Sequence, residues 1–592
     1  MLLLPSLPAV RWGRSILHGV IALFGFLPLL PLLFLLLAGD GGNHFLLGLP
    51  LWVVVPYLLT TLKMVAVSGF MAVVIGLLLA WLFAFFSFPY KKIFSWLVLL
   101  PFTMPPYISA LVWLENASPG GALIPLLALL PSSGGPPNIR HWLVAAILLA
   151  VSFYPYVYLL ARSFLSSSRG FNAQLEMARV MGLSMADCFW QLFLPLIYPT
   201  MVAGFVLVAL EVMADYGAMN FFAVKTLSVG MYDLWLNLGQ LQYARYFCFV
   251  IIGLVALLLV IDRWNQVARR TLGGSVQAGT KLAGHGLGRP RVLAQAMAWL
   301  MVALLLLLLF LGFFFPFFSL LWWLVAQLTP FHRFGEQLAA VWAQNGGAIV
   351  ASFGLGLAAA AIIIVFSFFL AFYERQWNAA WLRLPAIFGY ALPGTVLALG
   401  ILAMVRLAGN YLGMGAPSAH LSSALALLLY AYLARFSATA FGAIGAGYAA
   451  ISPNLDSAAR SLGERSWRIA TTPWRLVVVR QSLSPAVISS AWLWDRSFLT
   501  KIGLGGIVGR VHLPLLRSAV VAGLLLAFIE IIKELPITLV LRPFGIQTLA
   551  VNVFTFASDE RIKQIALPAL LIIMVSMGSI WFMKKYWLKD SD

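Results

Sequence analysis

The chain has 592 residues, 62% of them hydrophobic and only 10% charged, with a mean hydropathy of +0.96, so its apolar side chains outnumber what a soluble core can hide and lipid is the solvent it requires. A formal net charge of +19 does not point to nucleic acid, because the basic residues fall in short loops beside apolar runs and no basic stripe interleaves with exposed aromatics. Cys188 and Cys248 are the only cysteines and the seven histidines are scattered, which encodes neither a disulfide framework nor a metal site, and no cofactor is expected.

A helix that crosses the hydrocarbon needs about 20 apolar residues, since every backbone polar group must be satisfied within the segment. In chain order such runs fall at 16–38, 62–87, 94–114, 142–164, 197–217, 245–262, 294–325, 348–372, 382–406, 421–443, 516–538 and 565–583. They predict an all-α polytopic membrane protein with about twelve transmembrane helices. The first run, behind Arg11 and Arg14, is longer than a signal-peptide core and lacks a small-residue cleavage site, so it reads as a retained helix. Placing the N-terminus in the cytoplasm puts Lys91, Lys92, Arg162, Arg169, Arg179, Arg375, Arg383, Lys584, Lys585 and Lys589 inside, and both termini are therefore expected to be cytoplasmic. The Gly-rich, basic stretch 263–292 reads as a linker between a first half, 1–262, and a second, 293–592.

The halves repeat one another. Glu176-Met177-Ala178-Arg179-Val180-Met181-Gly182, Leu194-Pro195, Val202-Ala203-Gly204 and Glu211 answer to Ser457-Ala458-Ala459-Arg460-Ser461-Leu462-Gly463, Leu513-Pro514, Val521-Ala522-Gly523 and Glu530. The offset is 319 from Pro195 to Pro514, from Gly204 to Gly523 and from Glu211 to Glu530, yet only 281 from Gly182 to Gly463, so the second half carries 38 additional residues, placed at about 471–508. Too short to cross the membrane twice, the insert is expected to be cytoplasmic or interfacial.

A cytoplasmic Glu-Ala-Ala-x-x-x-Gly segment followed by Leu-Pro resembles the coupling loop of importer permeases of the ATP-binding-cassette (ABC) superfamily, and here it occurs twice, near 171–195 and 452–514. The resemblance implies two homologous six-helix halves of the type I ABC importer fold, with Glu176, Ala178, Gly182, Ala458, Ala459 and Gly463 contacting the ATPase. Small residues at these positions allow close approach of a partner, and the glycines allow the turn that ends a helix. Two departures stand out: Ser457 replaces the acidic residue in the second copy, with Asp456 just before it, and the insert follows.

Glu211 and Asp215, and Glu530 and Glu534, are each spaced four apart, which on a continuous helix puts each pair on one face. Ionisable groups in spans usually face a bundle interior or wet cavity, so these four are candidates for the substrate pathway or its gate; structural pairing with Lys533 or Arg542 is the competing reading. Pro105-Pro106 and Pro393-Gly394 match across the repeat and read as helix breaks or kinks beside the cavity. The segments Glu211–Tyr232 and Lys533–Glu560 resemble the fused permeases of iron(III) importers, and a hard cation suits carboxylate oxygens.

No Gly-x-x-x-x-Gly-Lys-Ser/Thr phosphate loop occurs, so the expected role is a non-enzymatic transport subunit in a bacterial inner membrane. The implied partners are two ABC ATPase subunits, a periplasmic solute-binding protein and membrane lipid, with no nucleic acid. Fused permeases for thiamine or phosphonate-type solutes are the nearest rivals, and an ion-coupled secondary transporter a more distant one.

Overall fold

A computed structural model of the chain describes residues 25–37, 51–86, 88–127, 139–167, 177–178, 180–184, 187–273, 292–329, 334–377, 379–412, 421–461 and 511–587. The insert expected at 471–508, Glu176 and Gly463 lie outside them. Among the described residues the regular structure is helical throughout, as the absence of water within the bilayer demands.

In the first half the principal helices are α1 (Leu30–Leu37), α2 (Leu51–Phe85), α3 (Lys91–Leu97), α4 (Leu100–Thr103), α5 (Pro106–Asn116), α6 (Trp142–Ser167), α7 (Leu194–Ala214), α8 (Gly217–Phe221), α9 (Leu227–Tyr232) and α10 (Leu241–Gly273). α2 packs on α6 and α7, and α7 on α6 and α10. Lipid offers no hydrophobic drive between helices, so close backbone approach through small residues supplies the contact. A side chain at Gly76 would meet Val157 Cβ at 2.7 Å and the Tyr154 carbonyl at 3.0 Å, and one at Gly204 would meet Val157 Cγ2 at 3.2 Å. Three helices thus converge on one valine.

The second half repeats this plan with α11 (Val292–Leu309), α12 (Phe315–Gln327), α13 (Phe334–Trp377), α14 (Arg383–Ala391), α15 (Gly394–Leu412), α16 (Leu421–Ala450), α17 (Pro453–Ser461), α18 (Leu513–Leu515), α19 (Arg517–Lys533), α20 (Pro536–Leu541), α21 (Leu549–Ser558) and α22 (Ala566–Trp587). α13 packs on α16 and α19, and α19 on α16 and α22. The leading helices cross over. α1 lies on α15, while α12 reaches α5, where Trp113 Nε1 donates to the Leu311 carbonyl at 3.1 Å and the Trp113 and Phe315 rings sit 4.4 Å apart.

Eight helices among the described residues are long and apolar enough to span a membrane, or ten if each of two bent pairs counts as one span. The chain is thus an all-α, multi-pass membrane protein, and the expected twelve is not reached among the described residues. Three boundaries differ from the sequence reading. α2 starts at Leu51 rather than 62, because the apolar run continues upstream and the Lys63 ammonium is accommodated 3.4 Å over the Trp142 ring. α10 continues to Gly273, so the start of the expected linker is helical. The run 516–538 is interrupted: α19 stops at Lys533 and the chain re-enters helix at Pro536, whose ring suits the first turn of a new helix.

Candidate functional site: a polar chamber beside a broken helix

The matched prolines break their helices. The segments Lys91–Thr103 and Pro106–Asn116 meet at 84°, and Ala380–Ala391 and Gly394–Gly409 at 105°. Pro105 and Leu392 stand at the bends in extended conformations, which free backbone carbonyls that a neighbour must satisfy. Against the first bend and the ends of α7 and α19 lies a cavity of about 110 Å³, lined by Pro105, Pro106, Tyr107, Tyr156, Glu211, Asp215, Arg435, Glu530, Lys533 and Glu534 among others. All four sequence-predicted carboxylates therefore reach one chamber.

They do not share helix faces pairwise, however. α7 ends at Ala214 and α19 at Lys533, and Asp215 and Glu534 adopt extended backbone just beyond. Each turns to the start of the following short helix: Asp215 Oδ1 accepts from the amides of Ala218 at 2.8 Å and Met219 at 3.4 Å, and Glu534 Oε1 from that of Ile537 at 3.1 Å. Such carboxylates satisfy the orphan amides of a helix start. The four-residue spacing missed this because Gly217 and Pro536 restart the helices.

Glu211 and Glu530 remain on α7 and α19. Glu211 Oε1 accepts from the hydroxyls of Tyr390 at 2.7 Å and Tyr156 at 3.3 Å. Its partners come from both halves. Glu534 pairs instead with Arg435 of α16, Nε to Oε2 at 3.7 Å, while Nε and Nη1 of Arg435 have no hydrogen-bond partner among the described residues. A side chain at Gly394 would collide with Arg435 Nη1 and lie 2.7 Å from Glu534 Oε1, so the second bend packs directly against this ion pair. Lys533 bonds the Phe102 carbonyl at 3.2 Å, a carbonyl left free beside the first bend, and lies 4.4 Å from the Phe102 ring centre. Neither Lys533 nor Arg542 forms an ion pair with the four acids among the described residues. Arg435, Tyr156 and Tyr390 were not anticipated. Tyrosines are common in spans, but an arginine 14 residues into a 30-residue apolar helix was a usable signal. Among the described residues no three His, Cys, Asp or Glu side chains converge to hold a metal ion.

The two segments read from the sequence as coupling loops are described in part. Gly182 has φ +87°, and the Leu183 amide donates to the Ala178 carbonyl at 3.1 Å, the six-residue closure of a glycine-terminated helix end. Ala178 is buried, and Met177, Val180 and Met181 are exposed. In the second segment Ala458 and Ala459 lie on α17, with Ala458 exposed. Asp456 turns inward to Arg375 Nε and His512 Nε2, each at 2.8 Å.

No family model matches the chain, and no solved structure matches it. It is 22% identical over 536 residues to the Fe(3+)-transport system permease protein FbpB 2 of Haemophilus influenzae, covering 90% of this chain and 89% of that protein. It is 26% identical over 223 residues to the molybdenum transport system permease protein ModB of Escherichia coli, covering 36% of this chain and 95% of ModB. With the sulfate transport system permease protein CysT of Escherichia coli it shares 25% identity over 238 residues, 39% of this chain and 81% of CysT. The likeness to ABC importer permeases, including one matched through both halves, thus runs over most of the chain.

Proposed function

We propose that this chain is the transmembrane permease subunit of an ATP-driven, binding-protein-dependent importer that carries iron(III) from the periplasm to the cytoplasm. The observation that carries the reading is the match to the Fe(3+) permease, which runs through both halves, whereas the molybdenum and sulfate permeases align with less than half of the chain. The chamber adds chemical support. Its acids and phenols, Glu211, Glu530, Tyr156 and Tyr107, offer the oxygen ligands a hard cation prefers.

In this reading residues 1–262 and 293–592 are paired halves in a bacterial inner membrane, with both termini cytoplasmic. Two ATPase subunits close on ATP against the coupling segments at Glu176, Ala178 and Gly182 and at Ala458, Ala459 and Gly463. The closure switches the chamber to outward access, and a periplasmic binding protein delivers its cargo. Glu211, linked by hydrogen bond to Tyr390 of the other half, is placed to sense that movement, with Glu530 opposite; Asp215 and Glu534 hold the short helices at the chamber wall. ATP hydrolysis belongs to the partner subunits.

An oxyanion cargo is the second reading, favoured by Arg435 and Lys533 in the same chamber. The test is uptake of iron-55 in cells carrying the chain with its binding protein and ATPase, with radiolabelled molybdate and sulfate in parallel, comparing wild type, Gly182→Asp and Glu211→Gln/Glu530→Gln. ATPase-dependent iron uptake that is lost in Gly182→Asp at normal expression supports the proposal. Oxyanion uptake without iron uptake replaces the cargo, and no ATPase-dependent uptake of any of the three sinks it.

A further inference from the structure

The two coupling segments are joined differently to the helices that carry the chamber glutamates. In the first half the route from Gly182 to α7 is short. Asp187 Oδ2 accepts from the Ser184 amide at 3.2 Å and hydroxyl at 2.5 Å, the Cys188 amide donates to the Ser184 carbonyl at 2.9 Å, and Cys188–Phe193 runs directly into α7. In the second half the covalent route from α17 to α19 is 38 residues longer. A push delivered to α17 has no comparably short path along the chain.

A path through space exists. Asp456 on α17 is held by His512, 56 positions on, at 2.8 Å, and His512 stands immediately before Leu513–Leu515 and α19. The other oxygen of Asp456 accepts from Arg375 Nε at 2.8 Å, and the same guanidinium donates to the carbonyls of Tyr448 at 2.7 Å, Ile451 at 3.1 Å and Ser452 at 3.3 Å. His512 is fully buried, with its ring 5.3 Å from Tyr448 and 5.7 Å from Phe372. A charge-assisted network closed in this way is short and directional.

Resting on the permease reading above, we propose that Asp456, His512 and Arg375 form a mechanical shortcut. They transmit movement of the second coupling helix directly to the helix bearing Glu530, bypassing the inserted residues. Ser457 stands where the first copy has Glu176, and the neighbouring carboxylate of Asp456 faces the permease's own helices instead of the partner ATPase. These are positioning residues: they touch neither cargo nor nucleotide.

The test uses the full permease with its ATPase and iron-loaded binding protein in proteoliposomes, and reads iron-55 accumulated per phosphate released. Asp456→Asn and His512→Ala raise the ATP consumed per iron on the order of tenfold, the size of an ordinary coupling between sites. His512→Gln, whose amide can still bond the carboxylate, stays near wild type. In a chain lacking 471–508 the same His512→Ala change has no such effect, because the covalent route is then as short as in the first half. An unchanged ratio in His512→Ala overturns the proposal, as does an equal rise with and without the insert.

A second measurement covers a deletion chain that fails to assemble. Spin labels on Ser457→Cys and Leu515→Cys, with the native cysteines buried, keep one separation between nucleotide-free and vanadate-trapped states, and lose that constancy in His512→Ala; labels that stay equally fixed in His512→Ala refute the shortcut. Wild type that hydrolyses ATP without moving iron removes only the iron assignment and leaves the label distances to decide. Wild type that hydrolyses none with its ATPase bound removes the permease reading and the shortcut together.

Discussion

Removal of Arg435 tests the electrostatics of the chamber most directly. Arg435 and Glu534 are both buried and their charged atoms stand 3.7 Å apart, a separation worth about 4 kcal/mol at the effective dielectric of a partly buried pair. Much of that is cancelled by the desolvation of the two ions, so the pair adds little net stability, yet breaking it strands a charge. Arg435→Met leaves the Glu534 carboxylate with the Ile537 amide as its one partner among the described residues, and the expected loss is about 3–5 kcal/mol. Arg435→Met/Glu534→Gln removes the stranded charge and keeps an acceptor for that amide, so it loses only about 1–2 kcal/mol. The assay is equilibrium unfolding in mixed micelles, followed by tryptophan fluorescence, over the four members of the double-mutant cycle. A double variant that loses the full sum of the two single losses would refute the stranded-charge account.

Tyr390→Phe removes the shorter of the two hydroxyl bonds to Glu211 and leaves that from Tyr156; a loss of about 1–2 kcal/mol is expected in the same unfolding assay, together with slower uptake. Gly394→Val forces a branched side chain into Arg435 and Glu534 and costs about 1–3 kcal/mol by overpacking, whereas Gly347→Ala, with nothing near its new methyl, is neutral to stabilising; size-exclusion profiles after graded heating separate them. Burial pushes the Asp456 carboxyl up, but hydrogen bonds from Arg375 and His512 and their charges outweigh it and hold the group below its ordinary 3.8. Its contribution is therefore complete above that value and is lost only as pH falls through the lowered one. The stability difference between wild type and Asp456→Asn therefore shrinks as pH falls below about pH 4.

Much of the architecture was legible because lipid leaves the chain few choices. Runs such as 142–164 and 421–443 became α6 and α16 nearly at their expected starts, and Pro105-Pro106 and Pro393-Gly394 marked the two bends, since proline and glycine interrupt helices by their covalent structure. What escaped was set by tertiary contact. The span expected from 62 begins instead at Leu51, with the Lys63 ammonium set over the Trp142 ring. The convergence of Glu211, Asp215, Glu530 and Glu534 on one chamber followed from the repeat, but the division of labour did not, because a period of four cannot say where a helix ends. Tyr390 meets Glu211 across 179 positions, a pairing no local pattern encodes.

The crossing of α1 onto the second half also bears on how the protein is made. The Leu27 carbonyl accepts from the Tyr430 hydroxyl, 403 positions further on, so the ribosome must add that length before the bond can form. At ordinary synthesis rates this takes roughly 20–80 s. Until then α1 lacks its α15 contact, and lipid must take that place. The lipid-compatible sequence Leu-Pro-Leu-Leu-Phe-Leu-Leu-Leu of α1, without a charge or a hydrogen-bonding side chain, is suited to waiting there without recruiting the wrong neighbour.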